Sequence, residues 1–486
     1  MLNAVLRDSL IYGLASVLSK GLAIFLLPLY TRVLSPGEYG AYELLITLGA
    51  LANLVVALEV SQGLARHWAN AADGMQKVRL ASTALWFTVV MYGIFTSVGW
   101  VWSERFNYWL SGDHSHLLAF KFGLGFIAAN GIYYLLLNQF RWELRSKAYM
   151  LVSVGYALMT LLFASVLCLW WGMGLEGVML GQLLAAFFSA LLSGWLLCRS
   201  FTFSFDAKAL RAMLLFSAPL VPAGLAVFMS LYINRFALMH FTTLEDVGRF
   251  GVGSRIAGMS ALLILGIQAA LTPLIYQHYR EPGTPAQIAK LFDWFLAVAL
   301  MGCLFLALFA KELLMVLATR DYMDGAVLVV YLAPALLLSQ MYVFAPGIAI
   351  HKKTHWQLWV TLFSASVSVA ANWLLVPVWG IAGAAVATLL AALVFFAAWV
   401  SVSQRLYPIP YQWRSNAIAV CAFVACSALG CWVNHFGLAL WLGLDVKLAL
   451  LFALFTGVVT CRLLPVSDIR TLLRHLLQRV GMGQRG

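Results

Sequence analysis

The sequence predicts an all-α integral membrane protein with about 14 transmembrane helices, and composition, hydropathy and loop length each support that prediction. Of its 486 residues, 63% are hydrophobic and only 10% are charged, whereas soluble proteins carry about 25% charged residues. Apolar stretches recur from end to end, and no polar loop between them is long enough to form a separate domain. The composition excludes a soluble protein, and the short loops disfavour a membrane enzyme with its own catalytic domain.

The apolar stretches define the predicted spans, each close to the roughly 20 residues that cross a bilayer as a helix. They cover residues 9–30, 41–63, 81–102, 117–138, 149–171, 175–197, 214–238, 249–273, 293–313, 326–350, 357–377, 380–402, 415–435 and 438–461. The first stretch is longer than a signal-peptide core and no small-residue cleavage site follows it, so we keep it as a span. Pro219 and Pro222 are predicted to break the seventh span near its start.

The charges in the loops orient these spans. With the N-terminus in the cytoplasm, the inner segments hold 21 of the 31 Lys and Arg residues, the outer segments hold 6, Lys447 among them, and the spans hold 4. Cytoplasmic loops of membrane proteins carry such an excess of positive charge, so both termini are predicted to be cytoplasmic. The net charge of +12 is explained in this way and does not indicate nucleic-acid binding.

Two pairs of matching segments indicate an internal repeat. Gly174-Leu-Glu-Gly177 matches Gly380-Ile-Ala-Gly383, and Tyr39-Gly-Ala-Tyr42 matches Val247-Gly-Arg-Phe250, at offsets of 206 and 208 residues. Two halves of six spans both enter from the cytoplasm, so they are predicted to be parallel repeats about an axis along the membrane normal. The predicted organisation is a six-helix lobe (1–198), a cytoplasmic linker (199–213), a second six-helix lobe (214–403), a two-helix hairpin (404–463) and an amphipathic cytoplasmic tail (464–486). The apolar face of the tail fits either the inner leaflet or the protein itself.

Four cationic residues lie within spans: Lys20, Lys121, Arg235 and Arg255. Ionisable residues at membrane depth are costly and usually face a cavity or a partner. Against them stand Glu43 and Glu59 on the second span, with Asp8 and Asp293 only at inner rims, so we predict a cationic cleft for an anionic ligand. Among amides in spans, Asn53 and Asn234 are candidate ligand-binding residues. The alternatives are structural: the cations extend to the headgroups or pair with an acid, and the amides join helices.

Glu59 is the candidate site for ion coupling, because it is a carboxylate at membrane depth. The alternative is a static ion pair with Lys20 or Arg66. No catalytic residues, cofactor or metal site are predicted, since neither the cysteines nor the histidines form a ligand pattern. Asp321 and Asp324 in an outer loop have a spacing that a metal-dependent transferase would need, but solvation is the simpler interpretation.

Several motifs resemble one transporter family in their order and spacing. They are FLLPLYTRVLSPGEYGAYELL (Phe25–Leu45), NQFRWELRSK (Asn138–Lys147), INRFALMHFTTLEDVGRFGVGSRIAG (Ile233–Gly258) and the turns at Gly174 and Gly380. Together they resemble the polysaccharide-unit flippases (O-antigen, Wzx-type) of the multidrug/oligosaccharidyl-lipid/polysaccharide exporter superfamily. That family commonly has Asp-Arg where this chain has Asn234-Arg235, which removes a carboxylate from that position.

The resemblance implies a two-lobed carrier in the bacterial inner membrane. Such a carrier moves an undecaprenyl-pyrophosphate-linked oligosaccharide from the cytoplasmic to the outer leaflet for surface polysaccharide synthesis, with an ion gradient as the expected energy source. A polysaccharide polymerase and a chain-length regulator are candidate partners. Two alternatives stay open: an ion-coupled exporter of organic cations with the same fold, and a flippase for a lipid-linked murein precursor.

Overall fold

A computed structural model describes residues 2–71, 73–111, 115–264, 267–268, 271, 275, 278–435, 440–461 and 463. Every regular element in those residues is a helix. The chain divides into two compact units, each made of segments that are separate in sequence. The first unit contains Met1–Arg255, Leu314–Gly325 and Thr361–Ala391; the second contains Ile256–Leu313, Ala326–Val360 and Ala392–Gly486.

The first unit contains most of the N-terminal helices. They are α1 (Leu2–Val33), α2 (Pro36–Val55), α3 (Val60–Trp68), α4 (Gly74–Val101), α5 (Ser103–Ser111), α6 (Leu117–Trp142), α7 (Ser146–Ser165, continued by π-helix at Val166–Trp170), α8 (Gly174–Leu196), α9 (Ala207–Ser217), α10 (Val221–Phe241) and α11 (Leu244–Ala257). Short 3₁₀ turns lie at Cys198–Ser200, Ala218–Leu220 and Arg320–Gly325. The turn at Ala218–Leu220 separates α9 from α10 and contains Pro219, which confirms the predicted proline break.

The remaining helices lie wholly or partly in the second unit. They are α12 (Thr284–Leu308), α13 (Ala310–Leu317), α14 (Ala326–Leu338), α15 (Gly347–Ile350), α16 (Thr354–Leu406), α17 (Trp413–His435) and α18 (Leu440–Thr460), with 3₁₀ turns at Gly258–Ala261 and Met341–Phe344. The central part of α16, Thr361–Ala391, belongs to the first unit. The predicted amphipathic tail at 464–486 lies outside the described residues.

Eleven helices of the described chain are long and apolar enough to cross a membrane, or twelve if α2 and α3, bent by 44°, form one span. One of the eleven, α16, is two helices, because Gly380 interrupts it with φ 53° and ψ −129°. The Ser364 hydroxyl donates to the Ala391 carbonyl at 3.0 Å, whereas these residues would lie about 40 Å apart in a straight helix. Gly380 therefore forms the tight turn that the repeat predicts. The predicted span 249–273 lies partly outside the described residues, so the count of fourteen stays a prediction.

Local sequence explains where α2 begins. Ser35 precedes the helix, Pro36 is its first residue and Glu38 follows two positions later. The Ser35 hydroxyl accepts from the Glu38 amide at 3.3 Å, and the Glu38 carboxylate accepts from the Ser35 amide at 2.9 Å. This reciprocal capping satisfies two backbone donors at the helix start, and proline costs nothing there because its missing N–H has no partner in a helix.

The two copies of the second repeat motif contact each other within the first unit. A side chain on Gly40 would overlap the Leu244 carbonyl, and one on Gly248 would overlap the Pro36 carbonyl. Leu244 follows Pro36 by 208 residues, as Gly248 follows Gly40, so the contact is reciprocal. The N-terminal turns of α2 and α11 therefore cross with backbone against backbone. The division into two six-helix lobes stays a prediction.

One lysine was counted with an outer segment although it falls within the predicted span 438–461. The structure places this residue, Lys447, inside α18, where it is 3% exposed. Its ammonium group pairs with the Glu312 carboxylate and lies 5.5 Å from the centre of the Phe309 ring. Burial of a lysine requires such a partner, and the sequence of α18 alone does not show that Glu312 supplies it.

Candidate functional site

A carboxylate in the first unit bridges two arginines from different helices. Glu43 on α2 is 5% exposed. Its Oε1 accepts from Arg255 on α11, at 2.9 Å from Nη2 and 3.2 Å from Nε. Its Oε2 accepts from Nε of Arg235 on α10 at 3.3 Å. Three helices therefore meet at one charge cluster, which we call the Glu43 cluster (Glu43, Arg235, Arg255).

A glycine on α11 makes room for this carboxylate. A Cβ atom on Gly251 would lie 2.5 Å from Cγ and 2.8 Å from Cδ of Glu43. Gly251 is one turn before Arg255, so the same helix leaves space for the Glu43 side chain and supplies its strongest partner. The pairing of α2 with α11 therefore depends on a missing side chain as well as on charge.

Aromatic rings surround both guanidinium groups. The guanidinium carbon of Arg255 lies 5.1 Å from the Tyr42 ring centre and 5.4 Å from that of Tyr39. The guanidinium of Arg235 lies 5.2 Å from the Tyr232 ring and 5.7 Å from that of Phe250. Cation–π contacts of this kind contribute about 0.5–2 kcal/mol, more when they are desolvated. The rings therefore stabilise the positive charge of both arginines.

An amide fixes the second arginine. Asn234, 3% exposed, accepts from Nη1 of Arg235 at 3.0 Å. Its Nδ2 donates to the Thr388 hydroxyl at 3.2 Å, which joins α10 to the central part of α16. Asn234 was predicted to contact a ligand. In this structure both ends of its amide are bonded to protein, so it orients Arg235.

The cluster carries one formal negative and two formal positive charges, and its members differ in accessibility. The side chain of Glu43 is 6% exposed and that of Arg235 is 13% exposed, whereas that of Arg255 is 28% exposed. Arg255 is therefore the cation that a ligand reaches most easily. A net positive, aromatic-lined group within predicted spans suits an oxyanion.

The other predicted ligand-binding residues do not join this cluster among the described side chains. Lys121 lies 5.2 Å from the ring centre of Trp100, and Asn53 accepts from the Tyr92 hydroxyl at 2.8 Å. Asn53 thereby joins α2 to α4, which is the helix-joining alternative. Lys20 lies in α1, and its side chain is outside the described part of the structure.

Glu59 lies at the break between α2 and α3. It has φ 51° and ψ 30°, and its neighbour Leu58 has φ 49°. Left-handed backbone in two successive residues that are not glycine costs free energy and often marks a functional site. The described residues give its carboxylate no hydrogen bond or ion pair, and Arg66 instead lies 5.9 Å from the Phe216 ring. The alternative of a Glu59–Arg66 ion pair is therefore not present.

Charged groups also form a network at the start of α11. Arg249 pairs with Glu245 at 3.2 Å, with Asp246 at 3.3 Å and with Asp324 at 3.7 Å. Its Nε also donates to the Asp321 carbonyl at 3.3 Å. The described residues contain no group of three or more side chains that could hold a metal ion. Asp324 is thus neutralised by Arg249, which the loop spacing did not suggest.

Glu43 is recognisable in the sequence as an acid within a span, but no role was predicted for it. Its signal was weak: a single carboxylate in an otherwise apolar helix. Which cation it meets depends on helix crossing, because Arg235 and Arg255 follow it by 192 and 212 residues.

Comparison with known proteins places these features in a family. A family model described as polysaccharide biosynthesis protein matches residues 5–278. A comparison with curated protein sequences finds no match. The motif resemblance noted above is therefore confirmed by an independent model that covers more than half of the chain.

Solved structures share the fold. The lipid II flippase MurJ in an inward closed conformation aligns with a TM-score of 0.68 at 11% identity, over 94% of this chain and 100% of that chain. An inward-facing multidrug resistance MATE family transporter of the MOP superfamily aligns with a TM-score of 0.65 at 17% identity, over 79% and 95%. Its outward-facing form gives 0.60 at 15% identity, over 83% and 94%. The chain belongs to the polysaccharide biosynthesis protein family and has the multi-pass membrane fold of these transporters.

Proposed function

We propose that this protein is a flippase that moves a lipid-linked oligosaccharide, carried on undecaprenyl pyrophosphate, from the cytoplasmic to the outer leaflet of the bacterial inner membrane by alternating access. The product would enter surface polysaccharide synthesis, where a polymerase and a chain-length regulator are candidate partners. Both termini would lie in the cytoplasm, in agreement with the loop charges.

The observation that carries this proposal is the Glu43 cluster. Two arginines within predicted spans share one carboxylate, so the cluster attracts anions, and Arg255 is partly accessible. The head of a lipid-linked sugar is a diphosphate, and arginine forms paired hydrogen bonds to phosphoryl oxygens. Lys20 and Lys121 would add positive charge along the path. The family match supports a role in polysaccharide synthesis.

Ion coupling would use Glu59. Its carboxylate lies at a helix break with strained backbone and has no partner among the described side chains. Broken helices in transporters supply ion sites because the break frees backbone carbonyls. Binding of a proton or sodium ion there would favour one conformation of the bent pair α2–α3.

Two alternatives share the fold. An exporter of organic cations needs an accessible carboxylate, but Glu43 is buried between two arginines. A murein-precursor flippase carries the same lipid diphosphate, and the fold similarity to MurJ is compatible with it. The two substrates differ in the group that the diphosphate carries.

The test uses a host strain without its own copy of this gene, complemented with variants. Arg255→Ala should lower surface polysaccharide by about tenfold or more, because it removes the accessible guanidinium group that would bind the diphosphate. Lys20→Ala should have an effect of the same order, because it would remove a positive charge from the proposed path. Surface polysaccharide is measured on gels and the membrane level of the protein by immunoblot. Arg66→Ala, an exposed arginine of the same unit, is the control.

Normal polysaccharide in both variants at normal protein level would contradict the proposal. Resistance to ethidium that depends on the gene would favour the exporter. Lysis on depletion, with accumulation of murein precursor, would favour the murein-precursor flippase.

A further inference from the structure

We propose that Glu43 is an internal counter-anion that the diphosphate of the substrate displaces from Arg255, and that recaptures Arg255 when the substrate leaves. This inference rests on the proposed function, because it assumes a diphosphate ligand. It assigns a specific task to a residue that does not itself bind the substrate.

The Glu43 carboxylate has the geometry of an anion bound between the two arginines. The Glu43 carboxylate bridges two guanidinium groups with a separate oxygen for each: Oε1 for Arg255 and Oε2 for Arg235. A phosphoryl group bridging two arginines would use the same donors, because carboxylate and phosphate both accept from the guanidinium fork. Glu43 therefore occupies the position of the anion that the arginines are suited to bind.

The two arginines differ in how accessible they are to a ligand. Arg235 is bonded on one side to Glu43 and on the other to Asn234, and its side chain is only 13% exposed. Arg255 gives Nε and Nη2 to Glu43, has five N–H donors in all and is 28% exposed. A ligand therefore meets Arg255 first, and Arg235 keeps Glu43 in place during the exchange.

Repulsion between anions also favours the exchange. Each phosphoryl group of a lipid-linked diphosphate carries a negative charge, so with Glu43 in place two guanidinium groups would face three anionic groups. At membrane depth such an excess is unfavourable because the low dielectric strengthens repulsion. When Glu43 withdraws from Arg255 and stays with Arg235, its carboxylate moves away from the phosphoryl groups and this repulsion falls.

The exchange would also move helices. Glu43 lies on α2, whereas Arg255 lies on α11. Gly251, whose missing side chain leaves room for Glu43, lies on α11 as well. Loss of the Glu43–Arg255 bonds removes the ionic connection between α2 and α11, while Arg235 on α10 stays attached to Glu43. Ligand binding is thereby linked to the freedom of α2 relative to α11, as an alternating-access carrier requires.

The experiment measures binding of farnesyl pyrophosphate to the purified full-length protein in detergent by titration calorimetry. Glu43→Gln keeps the size of the side chain and removes its charge. Without the competing anion, farnesyl pyrophosphate should bind about tenfold more tightly than to the native protein. Arg255→Gln should weaken binding by about tenfold or more, and Glu43→Gln/Arg235→Gln should bind less tightly than Glu43→Gln.

A purely structural Glu43 would give the opposite sign, since arginines without their partner would be misplaced and Glu43→Gln would bind more weakly. Unchanged or weaker binding by Glu43→Gln therefore overturns the inference. If Glu43→Gln does not fold, Glu43→Asp replaces it: the shorter carboxylate cannot bridge both arginines, so tighter binding is again expected and weaker binding overturns the inference.

The two proposals fail in different ways. If the native protein does not bind farnesyl pyrophosphate, or Arg255→Gln binds it equally well, the proposed headgroup site is wrong. If Arg255→Gln loses binding but Glu43→Gln gains none, the headgroup site stands and only the displacement by Glu43 is wrong.

Discussion

Single residues of the Glu43 cluster illustrate how charges are tolerated in membrane-spanning helices. Removing an isolated ion from water costs several kcal/mol even after relaxation. Glu43 lowers that cost for Arg235 and Arg255 at once, and the rings of Tyr39 and Tyr42 contribute to Arg255. One positive charge of the cluster has no negative partner. Binding of an anion therefore lowers the electrostatic energy of the cluster further.

Glu59 allows a test at the same scale. Glu59→Gln should make transport insensitive to an imposed proton or sodium gradient and slow it by about tenfold, because an amide cannot bind either ion through a charge. Transport of a fluorescent lipid-linked sugar is measured in proteoliposomes with and without the gradient. Glu104→Gln, an exposed carboxylate in α5, is the matched control. Full gradient dependence in Glu59→Gln would remove Glu59 from the coupling mechanism.

Among the elements, α2 and α11 depend on each other most directly. Their N-terminal turns approach so closely that Gly40 and Gly248 have no space for a side chain. The contact is reciprocal, since each glycine meets the backbone four residues before its own repeat counterpart. Three polypeptide segments thus meet there, because Tyr322 in the turn Arg320–Gly325 also donates to the Leu34 carbonyl, just before α2, at 2.8 Å.

Substitution of these glycines tests the crossing. Gly40→Ala and Gly248→Ala should each destabilise the protein by about 1–3 kcal/mol, because the new methyl group overlaps a backbone carbonyl. Gly93→Ala in α4 is the control: nothing lies within 4 Å of its added Cβ, so it should be neutral or stabilising. Thermal unfolding in detergent gives the comparison. The double variant should lose less than the sum, since one separation of the helices relieves both overlaps.

Equal melting temperatures for Gly40→Ala and Gly93→Ala would show that α2 and α11 are not in close contact in the membrane protein.

For the whole molecule, we expect the proposed alternating access to open the α2–α11 crossing at some stage. An added Cβ on Gly37 would lie 3.9 Å from Cγ of Glu245, a distance that a disulfide can bridge after a small adjustment. In a background without the seven native cysteines, Gly37→Cys/Glu245→Cys should form a disulfide on oxidation and stop transport. Reduction should restore transport, and each single variant should transport at all times.

Transport that continues at its full rate in the cross-linked protein would mean that this crossing stays closed throughout the cycle. The opening would then lie elsewhere between the membrane helices.

The sequence by itself determined the class of protein, because composition, span length and loop charge are properties of local segments that lipid and water select directly. It also identified Arg235, Arg255 and Asn234, since a polar residue in an apolar helix is visible without a structure. The turn at Gly380 and the break at Pro219 followed from backbone chemistry in the same way.

Only the tertiary structure decided which charges meet. Glu43 joins Arg235 and Arg255, Lys447 is buried against Glu312, and Asn53 holds Tyr92. Each of these pairs is set by helices that cross many residues apart in sequence. Ion pairing depends on distance in space and on local burial, and neither is encoded in the order of residues along one helix.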